Sequence, residues 1–385
     1  MQPCSESQPR QPLAQPPQRA NCFLRTAPKF DGNLLHRLMT VLLKARSVPF
    51  MSNRKFAAFA WFFVAYLVAV ILFGAWVRIT GSGNGCGSHW PACNGDIIPQ
   101  APAEKTVIEY THRLMSGLCG IIALALVVWA RRIGKPVFHA ALLALFFLVV
   151  ESLLGALLVK RHLVVDDVSV ARAYTVALHL ANTLLLTASA ALLAWRASSV
   201  RIQSSQSLGV AGGAFTPSTK GLVNQSPAPS RVLLGAGLVA LVLTSMSGAV
   251  TALGDTVFPA QPALDGTLLA KVRADASPGQ HFLVRLRVIH PIVAVLAAAL
   301  VAGVLIGILA RRNRARTPNV RLVSLALGAI VCQTGLGVVN VLLAAPGWMQ
   351  IVHLLTAQAV WILTWLVFLA SEPSRFRLAE AGRET

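Results

Sequence analysis

Eight stretches of about twenty apolar residues recur along this chain, and no other feature constrains its fold as strongly. They lie near 56–77, 107–130, 137–159, 171–195, 232–253, 286–310, 322–345 and 349–370. A run of that length satisfies all its backbone polar groups internally as a helix. It can therefore cross a hydrocarbon core where water offers no alternative partner. Only 12% of residues are charged, against about 25% in soluble domains, so the missing charge is a statement about solvent. The expected fold class is an all-α integral membrane protein of eight transmembrane helices.

The net charge of +20 invites a nucleic-acid reading, but its placement argues for topology instead. Alternate loops hold Arg131, Arg132 and Lys135, then Arg196, Arg201, Lys220 and Arg231, then Arg311, Arg312, Arg314, Arg316 and Arg321. The intervening loops hold Asp96, Glu104, Asp166, Asp167, Asp255, Asp265 and Asp275. Basic loops stay on the cytoplasmic side, so a multi-pass protein with both termini inside is expected. Its partner is a lipid bilayer, and nucleic acid is not expected. Residues 1–55 carry nine Lys or Arg against Glu6 and Asp31 and are rich in Pro and Gln, which reads as a basic disordered tail. An Arg-rich, acid-poor leader also fits a mitochondrial transit peptide, and Met51 is an alternative start. Residues 197–230, rich in Ser, Gly and Pro, read as a flexible cytoplasmic linker, and 372–385 as a cytoplasmic tail.

The segments flanking the linker, 56–196 and 231–371, resemble each other. Gly74-Ala75-Trp76-Val77 closes the first span, and Gly248-Ala249-Val250 closes the fifth. His112 follows Glu109-Tyr110-Thr111 as His290 follows Arg287-Val288-Ile289. Glu151-Ser152-Leu153-Leu154-Gly155 is matched by Gln333-Thr334-Gly335-Leu336-Gly337, and Leu178-His179-Leu180 by Val352-His353-Leu354. His112 and His179 are 67 residues apart, His290 and His353 63. Both segments run in one direction, so this is a parallel repeat, expected to form two pseudo-symmetric four-helix bundles.

A lone membrane histidine is usually a hydrogen-bonding residue, but His112, His179, His290 and His353 stand at matched places near the outer ends of even-numbered helices. Two imidazoles facing each other across a bundle suit a haem iron. Zinc would want more protein ligands, and no Cys or acid repeats beside each pair. The halves differ three residues before the first histidine, where Glu109 faces Arg287. Residues i and i+3 share a helix face, so each charge is expected to point where its histidine points. Arg287 can hold haem propionates, whereas Glu109 can manage protons in a redox reaction or simply favour a helix N-terminus. The first half is therefore expected to do chemistry and the second to hold a permanent haem. Glu151, inside the third span, is costly as a free charge; uncharged Gln333 opposite favours a structural polar contact. In the first outer loop, Cys86 and Cys93 read as a disulfide or a redox pair on the oxidising side, with free thiols as the alternative.

The run Cys86-Gly87-Ser88-His89-Trp90-Pro91-Ala92-Cys93, the run Glu109-Tyr110-Thr111-His112-Arg113 and the His-Leu pairs at 179 and 353 together resemble the haem A synthase family, in order over about 56–371. They are most similar to the bacterial branch with an outer cysteine pair. The resemblance implies oxidation of a porphyrin methyl group of haem O to a formyl group, in two steps through a hydroxymethyl intermediate. It implies His290 and His353 as axial ligands of haem b, His112 and His179 at the substrate haem O, Glu109 as the essential carboxylate, and an assisting role for the cysteine pair. Some relatives carry a second cysteine pair, which 253–285 lacks here. Implied partners are a haem O synthase (protohaem farnesyltransferase), haem-copper oxidase subunits or assembly factors, and an electron acceptor. The implied location is a bacterial cell membrane, with the mitochondrial inner membrane as the alternative. A membrane dihaem cytochrome b that only passes electrons would use the same histidines. It would need neither Glu109 nor the Cys loop.

Overall fold

The structure, a computed structural model, describes residues 53–100, 102–209, 229–259, 268–310 and 320–371. The predicted tails 1–55 and 372–385 fall outside these, apart from the start of the first helix. Eight helices are long and apolar enough to cross a membrane. We label them α1 (Asn53–Ile79), α2 (Glu104–Ala130), α3 (Lys135–Lys160), α4 (Val170–Gly209), α5 (Pro229–Val257), α6 (Ile289–Ala310), α7 (Val320–Leu342) and α8 (Gly347–Ala370). A short turn of helix, Phe282–Arg285, and a 3-10 turn, Leu286–Val288, lead into α6, and a separate short helix spans Leu268–Asp275.

Apart from Glu151, set within α3, charges lie toward the ends of these helices. Glu104 stands in the first turn of α2, where a carboxylate complements the helix dipole. Pro136 occupies the first turn of α3, where its missing N–H costs no hydrogen bond. The helix α4 runs past Trp195 to Gly209, so the stretch expected as linker from residue 197 is helical at its start.

Helices α1 to α4 pack in succession, and α4 returns to α1; α5 to α8 close in the same way. The two sets meet where α4 packs on α5, α8 on α1, and α8 on α4. Each set has its own apolar core. Phe56, Phe63, Leu126, Val137 and Leu193 are buried together in the first, and Leu234, Val301, Leu305, Val323 and Val367 in the second. Both cores lie toward the end where α1 and α5 begin and α2 and α6 finish. The four matched histidines lie toward the opposite end.

Between the sets, Trp361 Nε1 donates to Leu184 O at 2.9 Å. At the histidine end, Arg78 closes α1 by donating to Ala252 O at 2.7 Å, to Thr256 Oγ1, and to Gln350 Oε1 at 2.8 Å. One guanidinium thus ties α1, α5 and α8 together. A fork of donors spends its charge on hydrogen bonds there rather than facing an apolar medium alone.

Candidate functional site

The loop between α1 and α2 folds onto the start of α2. Gly85 lies so close that a Cβ there would sit 2.3 Å from Lys105 O, a contact no side chain tolerates. Thr106 Oγ1 donates to Gly85 O at 2.7 Å, and Tyr110 Oη donates to Ile97 O at 2.9 Å. Cys86 and Cys93 are joined by a disulfide and are fully buried, which favours the bridged pair over free thiols.

Glu109 lies beneath this ring and is 4% exposed. Its Oε2 accepts the Cys86 amide at 2.8 Å, and its Oε1 accepts Arg113 Nε at 3.1 Å and Arg113 Nη2. The same guanidinium reaches out to His89 O at 2.7 Å and Ala92 O at 2.6 Å, inside the disulfide ring. Glu109 and Arg113 are i and i+4 partners on α2, so the helix presents a bidentate clamp to the loop. The spacing argument aimed Glu109 along the face of His112. The structure turns both carboxylate oxygens to the loop and its arginine instead, because a buried carboxylate settles where donors converge. Arg113 was legible in the sequence only as part of a motif.

His112 lies flat against α1. A Cβ on Gly74 would fall 3.0 Å from its Cε1, and the Phe73 ring stacks beside it at 6.3 Å and 18°. Its Nδ1 is buried with no hydrogen-bond partner. His179 on α4 is within electrostatic reach of His112. The carboxylate at this pair is Glu151, whose Oε1 stands 3.3 Å from His179 Nδ1. Glu151 also accepts from Asn182 Nδ2 at 2.6 Å and from Thr183 Oγ1. It is hydrogen-bonded by Asn182 and Thr183, as its depth demanded, and the histidine stands beside it.

In the second set His290 lies against α5 in the same way, with Gly248 leaving 2.8 Å between a notional Cβ and the His290 Cε1. His290 Nδ1 and Ser247 Oγ share a hydrogen bond of 3.0 Å. His353 on α8 is within electrostatic reach of His290. Gln333 Nε2 donates to His353 Nε2 at 3.0 Å, while Thr356 Oγ1 donates to Gln333 Oε1. His353 Nδ1 is buried without a partner.

Arg287 was expected to reach toward propionates. Its Nε instead stands 2.6 Å from Asp255 Oδ1, and its Nη2 donates to Gly254 O at 2.9 Å and to Phe258 O. Arg287 belongs to the 3-10 turn Leu286–Val288, and His290 to the α-helix that follows. The guanidinium goes where a carboxylate and two carbonyls at the end of α5 converge, and these partners draw it away from the histidine. Asp255, read in the sequence only as an outer-loop acid, is the residue that signal missed.

Among the described residues no group of three or more His, Cys, Asp or Glu side chains is placed to hold a metal ion.

A model of cytochrome oxidase assembly proteins, COX15-CtaA, matches residues 57–365. The chain belongs to the COX15-CtaA family. It is 44% identical over 337 residues to a Thermus thermophilus protein named protohaem IX farnesyltransferase, covering 85% of this chain and 51% of that relative. It is 39% identical over 109 residues to a haem A synthase of Exiguobacterium sibiricum, covering 27% of this chain and 36% of the relative. A haem A synthase of Halalkalibacterium halodurans is 44% identical over 93 residues, which cover 23% and 31% of the two chains. The chain thus spans about half the length of the first of these COX15-CtaA relatives and less of the others. The COX15-CtaA match takes in all four matched histidines, the disulfide ring and Glu109.

Proposed function

We propose that this chain is a haem A synthase. It would oxidise a methyl group of haem O to a formyl group through a hydroxymethyl intermediate, for the biogenesis of a haem-copper oxidase. The observation that carries the reading is the pair of imidazoles in each half, with His112 and His290 seated on helical glycines, Gly74 and Gly248, at matched positions. Porphyrin supplies four ligands to iron, so two imidazoles complete the set. The glycine notches and the buried nitrogens of His112 and His353 fit such a group.

In this reading the two sets are diverged halves of a parallel repeat. His290 and His353 would hold haem b, and His112 and His179 would hold haem O as substrate. Haem b, when bound, supplies reversible one-electron redox chemistry. Glu109, one helical turn from His112 and anchored by Arg113 and the Cys86 amide, is the proton acceptor we assign to methyl oxidation. The disulfide ring fixes the loop against that carboxylate and shields it from water. Arg287, bound to Asp255, braces the end of α5 against the turn that leads into α6.

The Thermus relative supports an upstream farnesyl transfer, since only about half of it matches this chain. We take the matched half to be the oxidising partner of the named activity. The basic loops support a topology with both termini on the cytoplasmic side, and the bacterial relatives support a cell membrane as its location.

Expression with a source of haem O, followed by haem extraction, tests the reading. Haem A and its alcohol intermediate are expected. Recovery of unmodified haem O alone would favour the dihaem electron carrier. In Glu109→Ala, haem O should accumulate with at least a hundredfold loss of haem A, since a positioned proton acceptor contributes about 10²–10⁴-fold. Haem b occupancy should stay full.

A further inference from the structure

Position 151 in α3 and position 333 in α7 are matched in the repeat, and each gives its side chain to the second histidine of its half. Glu151 Oε1 stands 3.3 Å from His179 Nδ1, and Gln333 Nε2 stands 3.0 Å from His353 Nε2. Both are pinned by neighbours on the histidine's own helix: Glu151 by Asn182 and Thr183, Gln333 by Thr356. The two contacts differ in charge and in the ring nitrogen they meet, Nδ1 of His179 and Nε2 of His353.

We propose that Glu151 and Gln333 set the electron-donating strength of His179 and His353 toward iron, leaving the first-half iron at the lower reduction potential of the two. This rests on the reading that these histidines ligate haem. A carboxylate beside an imidazole N–H makes the ring a more basic ligand and stabilises the oxidised metal, whereas a neutral amide adds no such charge. Glu151 is a positioning residue, acting on iron through the His179 imidazole. Its cost in the membrane explains why it is surrounded by donors. The repeat uses glutamine where that charge is not wanted.

The test is a spectroelectrochemical titration of the purified protein loaded with both haems, read separately in the two halves. Glu151→Gln, which keeps the shape and installs the residue of the other half, should raise the first-half potential and leave the second unchanged. Gln333→Glu should lower the second-half potential, and it serves alone if the first variant does not fold. Potentials that stay in place in both variants, or that move equally in both halves, overturn the proposal. Shifts as described in a protein that yields no haem A would leave this proposal standing and defeat the synthase reading. Absence of haem from both halves would defeat both.

Discussion

Replacing Arg113 by leucine is expected to destabilise the folded protein by about 3–5 kcal/mol, the usual cost of removing one member of a buried ion pair. Glu109 would keep only the Cys86 amide, and the carbonyls of His89 and Ala92 would lose the guanidinium that gathers them. Both losses act at one place, so the disulfide ring should come away from α2 even though its covalent bond is intact. The pair also predicts its own rescue. Glu109→Gln together with Arg113→Leu removes the uncompensated charge and should recover a substantial part of the loss, because residues in contact are non-additive. Thermal unfolding in detergent, with protease access to the loop between Gly83 and Gly95, measures both effects. If Arg113→Leu unfolds like the parent, the clamp is not what holds the loop.

The second large effect concerns the notch under His290. In Gly248→Val the new Cβ would stand 2.8 Å from the imidazole Cε1 and 3.3 Å from both ring nitrogens. The ring must swing away, and its hydrogen bond with Ser247 goes with it. Overpacking costs typically about 1–3 kcal/mol, which corresponds to haem affinity in the second half falling roughly fivefold to a hundredfold. Equilibrium titration of protohaem into the stripped protein measures this. Gly303→Ala, in open space on α6, should leave affinity unchanged. Equal affinities in Gly248→Val and the parent would mean that His290 does not meet the group from this position.

The helices were legible because a bilayer permits few ways to hide a backbone, so a twenty-residue apolar run commits the chain before any tertiary contact forms. The matched histidines were legible for a related reason: duplication keeps residues in register even where the side chains around them have changed. Directions of polar side chains were not legible. Glu109 and Arg287 sit at the same repeat position, and helical spacing pointed both toward histidines. Arg113 and a loop amide drew the first away, and Asp255 with the carbonyls of Gly254 and Phe258 took the second. Which of several nearby polar groups wins a buried charge is decided by tertiary packing, which no periodicity encodes. Glu151 shows the converse. Its burial announced that it needed partners, but only the packing of α3 on α4 made His179 one of them. The extension of α4 to Gly209 was hidden by a Ser- and Gln-containing composition that reads as linker, although nothing in it forbids a helix.

The central claim is that each half clamps one iron porphyrin between its two imidazoles. It is tested most directly by the absorption spectrum and pyridine haemochrome of the purified protein and of two single variants. The account predicts a low-spin, six-coordinate haem spectrum with protohaem present. Protohaem should be lost in His353→Ala and retained in His179→Ala. A protein that stays colourless when its host is well supplied with porphyrin would contradict it, as would protohaem that survives His353→Ala undiminished.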